Sequence, residues 1–282
     1  MTNDIGELCV TVGYACNFKC SHCAVADKRG VKLTIQEKRL LVSTIKRRRL
    51  RALFFVGGET ALYIEDINQI VSQVESAVQP RVRITTNGYF AETVAKASQV
   101  LGRFRSLSAV QLSYDTYHAK FLPLYKIKNL YLACRKAGIS FNVALTIQSP
   151  LELVQLKDLK ALGGFPVILQ TVHPIGAARD NNLAYRYPSF DEQVLVKRCP
   201  NLGKMIYLCG EGFTVCCSYL TLQGNASRYV HRTIGEHTGS SFYKLISKNT
   251  FGEILKAKEI DRNRLLPEHS SPCNLCNFIF TS

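Results

Sequence analysis

No apolar run in this 282-residue chain reaches the roughly 18–20 residues that a membrane-spanning helix needs. The opening Met1-Thr-Asn-Asp-Ile-Gly-Glu7 lacks the basic start and apolar stretch of a secretory signal. There is no low-complexity tract and no internal repeat, so neither a disordered linker nor a solenoid is expected. The expectation is a cytoplasmic protein whose eleven cysteines stay reduced and free for metal binding or chemistry. Acidic residues are scarce: 21 Asp and Glu stand against 36 Lys and Arg, a net charge of +15. Such a field favours an acidic partner. The densest cluster, Lys46-Arg-Arg-Arg-Leu-Arg51, also suits the last turn of a helix. No aromatic interleaving or nucleic-acid motif accompanies it, so nucleic acid is not the expected partner.

β-branched runs alternate with helical patterns, which predicts a parallel α/β sheet. Strands are expected at Leu8–Gly13, Arg51–Val56, Arg81–Thr85, Ala109–Ser113, Ser140–Ile147 and Val167–Thr171. Thr34-Ile-Gln-Glu37 reads as a capping box opening a helix, and Ser149-Pro-Leu-Glu152 as a second one. Ile64, Ile67, Ile70, Val71, Val74 and Val78 recur at helical spacing, and Gly138 suits a helix end. Six β/α units make an open three-quarter barrel whose active face lies at the strand C-termini. After about residue 198 the pattern shifts to a cysteine-rich hairpin and short helices, so the expected domains are 1–198 and 199–282.

The chemistry is concentrated in cysteines. Cys16, Cys20 and Cys23 follow the first strand with C-x3-C-x2-C spacing. Three thiolates on one loop can hold three irons of a [4Fe–4S] cube and leave the fourth without a protein ligand. The alternative is a zinc site closed by His22, which sits awkwardly inside the Cys20–Cys23 segment. Gly57-Gly58-Glu59-Thr60 ends the second strand, where paired glycines allow a close backbone approach. A second set, Cys199, Cys217, Cys273 and Cys276, suits a closed four-thiolate site, with Cys216 able to substitute for Cys217 and a zinc ribbon as the alternative occupant. Cys209 is left over, either as a reactive thiol or as a small buried hydrophobe. Cys9 and Cys134 fall in a strand and a helix and are expected in the core.

Taken together, the three-cysteine loop, Gly57-Gly58-Glu59 and the distal cysteines resemble the radical S-adenosylmethionine (SAM) superfamily. The distal set resembles its SPASM or shortened twitch auxiliary domain, as in the inosamine dehydrogenase of aminoglycoside biosynthesis. The resemblance implies a partial (β/α)6 barrel followed by a small hairpin-plus-helix domain. It implies a [4Fe–4S] cluster with SAM at Cys16, Cys20 and Cys23 and an auxiliary [4Fe–4S] cluster on the distal cysteines. Gly57, Gly58 and Glu59 would contact SAM, with Thr60 in place of the family's proline. His22 would lie near the adenine, and Ser113 and Asp115 would contact the ribose or carboxylate unless they serve as helix caps. Asn87, in Thr85-Thr-Asn-Gly88, would sit on the substrate side or simply form a turn, and His118 and His173 are read as structural. Cys209 would be a hydrogen donor if it is reactive, with the small buried hydrophobe as the favoured reading.

The implied activity is reductive cleavage of SAM to a 5′-deoxyadenosyl radical that abstracts a hydrogen atom. The expected substrate is a ribosomally made peptide, crosslinked, epimerised or excised, with a flavodoxin or ferredoxin as electron donor. No separate peptide-recognition segment precedes the first strand, so a second protein that presents the peptide is also expected. The other readings are radical oxidation or rearrangement of a sugar, cyclitol or nucleotide, and a non-enzymatic metal module. The last leaves Gly57-Gly58-Glu59 unexplained.

Overall fold

The computed structural model describes residues 5–28, 30–223 and 226–282. Strand β1 (Glu7–Thr11) leads through the cysteine loop to helix α1 (Ile35–Arg48). There follow β2 (Ala52–Val56), α2 (Ile64–Val78), β3 (Arg81–Thr86), α3 (Val94–Leu101), β4 (Leu107–Tyr114), α4 (Leu124–Lys136), β5 (Ser140–Ile147), α5 (Gln155–Leu162) and β6 (Val167–Thr171). These six strands are parallel and lie side by side in chain order. The result is the expected partial barrel.

Local chemistry explains most of these boundaries. Thr34 caps α1: its hydroxyl accepts from Glu37 N at 3.2 Å, and the Glu37 carboxylate accepts from Thr34 N at 2.8 Å. The six aliphatic residues at helical spacing in α2 are all buried. Alternation in the strands divides the sheet's faces. Leu8, Val10, Leu53, Phe55, Val82, Ile84, Val110 and Leu112 are buried in the main core. The intervening Val56, Thr85, Gln111, Ser113 and Thr146 line the barrel cavity instead.

Two expectations need correction. The second capping box does not form: Ser149 makes no side-chain cap, and Pro150–Val154 is a 3-10 turn ahead of α5. Glu152 is drawn elsewhere, accepting from Gln148 N and from Thr116 Oγ1 at 2.8 Å. The hairpin after residue 198, read as the start of a separate domain, instead extends the barrel sheet. Its strands, β7 (Lys204–Leu208) and β8 (Gly212–Thr214), follow the four-residue α6 (Ala177–Asp180). β7 pairs in parallel with β1, from Glu7↔Lys204 to Val10↔Tyr207, and β8 pairs antiparallel to β7. The Glu37 carboxylate latches this hairpin to α1, accepting from Gly210 N at 2.7 Å and Tyr207 OH at 3.0 Å.

The remaining helices are α7 (Tyr219–Leu222), α8 (Ala226–Tyr229), α9 (Ile234–Gly239), α10 (Ser241–Lys248), α11 (Phe251–Ala257) and α12 (Pro272–Thr281). They surround a second core that contains Val215, Phe242, Ile246, Phe251, Leu275 and Ile279. Val194 and Leu195, before residue 198, belong to this second core, whereas Met205, Tyr207 and Phe213 belong to the barrel core. The chain therefore passes between the two cores more than once.

Candidate active site

A cavity of about 430 Å³ opens at the C-terminal ends of the barrel strands, and Cys16, Cys20 and Cys23 lie on its wall. Several contacts fix their loop. Ala15 N donates to Tyr63 OH at 2.8 Å, Phe18 N to Cys16 Sγ at 3.4 Å, and Cys23 N to Cys20 O at 3.2 Å. On the far side, Ala177 N reaches Cys23 O at 2.9 Å and Asn181 Nδ2 reaches Ser21 O at 3.0 Å. Gly176 permits this embrace. It has φ +57°, and a Cβ there would lie 2.6 Å from Ala24 O and 2.7 Å from Cys23 O.

Gly57 and Gly58 also line the cavity. Their lack of a side chain serves the cysteine loop directly. A Cβ on Gly57 would fall 2.3 Å from Gly13 O, and one on Gly58 2.2 Å from Ala15 O. Gly58 N and Glu59 N donate to those same two carbonyls, each at 2.9 Å. Thr60, in the place of the proline of the resembled family, sends its buried hydroxyl to Thr85 O at 2.7 Å and so ties this loop to β3.

Glu59 does not face the cavity. It is fully buried, and its carboxylate accepts from Ala61 N at 2.9 Å, Thr86 Oγ1 at 2.7 Å and Asn87 N at 2.7 Å. Burial raises its pKa against the pull of these three donors. The geometry gives Glu59 the task of holding Thr86 and Asn87, both of which do line the cavity. Asn87 Nδ2 lies 2.9 Å from Asn17 Oδ1 and 3.6 Å from Cys16 Sγ, while its Oδ1 accepts from Tyr89 N at 3.0 Å.

Ser113 lines the cavity, but Asp115 is fully buried behind it. One oxygen of Asp115 caps the following turn, accepting from Tyr117 N and His118 N, each at 2.9 Å. The other meets His118 Nδ1 at 2.9 Å and His22 Nε2 at 3.4 Å. His22 stacks on Tyr117 with ring centroids 4.4 Å apart. Burial lowers the His22 pKa and would raise that of Asp115, but the neighbouring histidines, above all His118, hold the carboxylate below its usual range. Burial would also lower His118, yet Asp115 and Cys20 outweigh it and push its pKa up to about 10. His118 and His173 both reach the cavity wall.

The distal cysteines gather as the spacing suggests. Cys199, Cys216, Cys217, Cys273 and Cys276 surround a small second cavity with Val215, Phe242 and Phe251. Cys273 and Cys276 share one face of α12 at a spacing of three residues. Cys217 is exposed and lines both this cavity and the large one, whereas Cys216 lines only the second. Asn201 braces the region, donating to Val215 O at 3.1 Å and Cys217 Sγ at 3.5 Å. Cys209 is 1% exposed and packs in the barrel core rather than on the large cavity, where its neighbour Leu208 stands. That is the setting of a small buried hydrophobe, and the alternative role as a hydrogen donor at that cavity is withdrawn.

The donor sets fit clusters better than single ions. A lone tetrahedral zinc at about 2.3 Å from each sulfur would bring the sulfurs to about 3.8 Å from one another. Among the described residues, no three cysteine sulfurs lie within 4.8 Å of one another; the one convergent group is His22, Asp115 and His118. That group is already joined by its own hydrogen bonds. Sequence reading passed over Gln111, Thr146 and Gln170, which also line the cavity. Their signal was available: a polar residue at alternate positions near the end of each strand.

A family model described as the radical SAM superfamily matches residues 10–170. YydG of Bacillus subtilis (strain 168), a protein named for a role in peptide biosynthesis, is 24% identical over 292 residues, spanning 95% of this chain and 89% of that one. Among solved structures, native anSMEcpe with bound AdoMet and the Cp18Cys peptide matches with TM-score 0.55 and 15% identity, over 98% of this chain and 96% of that one. Streptococcus suis SuiB bound to the precursor peptide SuiA matches with TM-score 0.50 and 16% identity, over 89% of this chain and 73% of that one.

Proposed function

The chain belongs to the radical SAM superfamily, and from that premise we propose that it modifies a peptide by hydrogen-atom chemistry, with Cys217 as the thiol that returns a hydrogen atom. Cys16, Cys20 and Cys23 would hold the SAM-binding [4Fe–4S] cluster, and the wall formed by Gly57, Gly58 and Ser113 would receive SAM. When bound, cluster and SAM supply the power to take a hydrogen atom from an unactivated carbon. Cys199, Cys216, Cys273 and Cys276 would hold the auxiliary cluster. This exchanges the expected order of Cys216 and Cys217.

The observation that carries the reading is the position of Cys217, the only one of the five distal cysteines on the wall shared with Cys16, Cys20 and Cys23. Its thiol is exposed on the cavity wall, where a substrate radical can reach the S–H hydrogen. Transfer of that hydrogen breaks S–H and forms C–H at the substrate radical. The sulfur radical left behind regains its thiol with one electron from a flavodoxin- or ferredoxin-type donor and one proton from water. An inverted stereocentre is the natural outcome where the two hydrogens leave and arrive on opposite faces.

A peptide substrate is supported by the name of YydG and by the peptides bound in the SuiB and anSMEcpe structures. It is also supported by β6, the open edge of the sheet, which exposes Ile168 and Leu169 and ends in the cavity residues Gln170 and Thr171. An extended chain can add to such an edge. The net charge of +15 suits an acidic peptide. A peptide-presenting partner fits the same edge. The division into a barrel and a twitch-like unit is proposed along the two cores rather than at residue 198. No described helix is long and apolar enough to cross a membrane, and the count of eleven cysteines supports a reducing, cytoplasmic setting.

Anaerobic reconstitution tests the assignment. Wild type and Cys217→Ser should each carry about eight irons per chain, and Cys216→Ser about four. With SAM and dithionite, wild type should release 5′-deoxyadenosine, and a Cys16/Cys20/Cys23→Ala variant none. Loss of iron in Cys217→Ser with full loading of Cys216→Ser would overturn the thiol assignment. No iron uptake by wild type would overturn the whole reading.

A further inference from the structure

Asn87 sits where a turn residue would be unremarkable, yet its side chain is buried and aimed at a cluster ligand. It is 5% exposed. Each end of its amide is engaged. The oxygen accepts from Tyr89 N at 3.0 Å, and Nδ2 lies within hydrogen-bonding distance of Asn17 Oδ1, at 2.9 Å, and of Cys16 Sγ, at 3.6 Å. An amide nitrogen carries two hydrogens, so both contacts can be satisfied at once.

The orientation is not accidental to the turn. Glu59, buried and holding Asn87 N at 2.7 Å, fixes the backbone from one side, and Thr86 Oγ1 accepts from Gly88 N at 3.1 Å on the other. Gly88 has φ +70°, the left-handed turn that swings the chain back after Asn87. Cys16 Sγ thus faces two N–H groups from different parts of the chain, Phe18 N at 3.4 Å and Asn87 Nδ2 at 3.6 Å.

We propose that Asn87 is a positioning residue that donates an N–H···S hydrogen bond to the Cys16 ligand and thereby makes the SAM-site cluster easier to reduce. The inference rests on the assignment of Cys16, Cys20 and Cys23 to that cluster. An added electron increases the negative charge on the ligand sulfurs, and an N–H dipole aimed at one of them stabilises the reduced form more than the oxidised form. Hydrogen bonds to the sulfurs are among the features that set iron–sulfur potentials. The effect belongs to the residue pair Asn87 and Cys16, with Glu59 acting only through the backbone it holds.

The test is an EPR-monitored redox titration of reconstituted protein, following the reduced-cluster signal that shifts when SAM is added. Asn87→Ala removes the donor. Asn87→Asp removes it while keeping the oxygen that accepts from Tyr89 N. Loss of one ordinary hydrogen bond should lower the reduced-to-oxidised ratio at a fixed potential by up to about fivefold, equivalent to up to about 40 mV for a one-electron couple. Both variants should shift to more negative potential, with iron content unchanged. In wild-type protein labelled with 15N-asparagine, the reduced SAM-responsive cluster should show a 15N coupling that disappears in Asn87→Asp. A merely structural role would lower iron content or melting temperature and leave the potential of the loaded protein in place. Unchanged potential in either loaded variant, or no 15N coupling in wild type, overturns the proposal. A wild-type protein with no SAM-responsive cluster would instead overturn the assignment beneath it.

Discussion

Replacing Glu59 with glutamine separates two roles for this carboxylate. As a ligand of the SAM ammonium, Glu59 would matter to SAM and little to the empty fold. The geometry says the reverse. Oε1 accepts from Thr86 Oγ1 and Ala61 N, and Oε2 accepts from Asn87 N, all within a fully buried site. Glutamine offers one oxygen and one NH2 group. Whichever way it turns, a buried backbone N–H, that of Asn87 or of Ala61, faces another donor. An unsatisfied buried N–H costs about 1–3 kcal/mol. Relief of the buried charge offsets part of this, which leaves a net loss of about 1–2 kcal/mol. For a chain of this size that is a fall of about 2–3 °C in melting temperature. The pH dependence supplies an independent sign. Burial raises the Glu59 pKa above its ordinary 4.5, so the native state binds this proton more tightly than the unfolded chain does. Wild type should therefore lose stability as pH rises from about that ordinary value to the raised one, and Glu59→Gln should lack this contribution. The assay is anaerobic thermal and urea unfolding of the metal-free protein across pH, with SAM binding to the reconstituted protein measured beside it. An unchanged melt together with SAM binding weakened tenfold or more would refute the reasoning and return Glu59 to the ligand.

Gly176→Ala forces a methyl group against Cys23 O and Ala24 O at a positive φ. It should destabilise the fold by about 1–3 kcal/mol and lower iron at the first cluster while sparing the second, read by iron analysis and EPR. Glu37→Gln tests the hairpin latch: hydrogen bonds from Thr34, Gly210 and Tyr207 overcome burial and hold the Glu37 pKa below 4.5. The stability this adds is present above about 4.5 and lost as pH falls through the lowered value, so unfolding measured from pH 7 to pH 3 should show a smaller acid-side loss in the variant.

Much of the barrel was legible because its signals are local. β5 and β6 occur at the expected residues, the apolar stripe of α2 is buried, and Gly138 follows α4 with φ +68°. These features depend on alternation, helical period and left-handed glycine, each contained in a few neighbouring residues. The second capping box failed for the opposite reason. Glu152 had a better partner in Thr116, 36 residues away, and local spacing carries no record of it. The parallel pairing of β7 with β1 was hidden in the same way, because a hairpin motif shows its own strands but not the edge that receives it.

The site divides along the same line. Residue type and spacing found the cysteines, and they found the glycines that bring the second strand's loop against Gly13 and Ala15. They did not show which groups face the cavity. Glu59 and Asp115 lie behind the wall, and each acts through what it holds: Glu59 through Asn87, and Asp115 through His22 and His118. The number of donors around each explains why carboxylates were used despite burial. An ionised carboxylate accepts several hydrogen bonds at once, and charge assistance strengthens each of them. Such a residue can organise a loop of backbone donors that a neutral side chain would satisfy only in part. The same argument applies to Cys216 and Cys217. Their identity and adjacency suit either one as a cluster ligand, and only the placement of β8 beside β7, and of β7 beside β1, turns Cys217 toward the barrel. The hydrogen return proposed for Cys217 therefore depends on a strand pairing that joins residues almost 200 positions apart in the sequence.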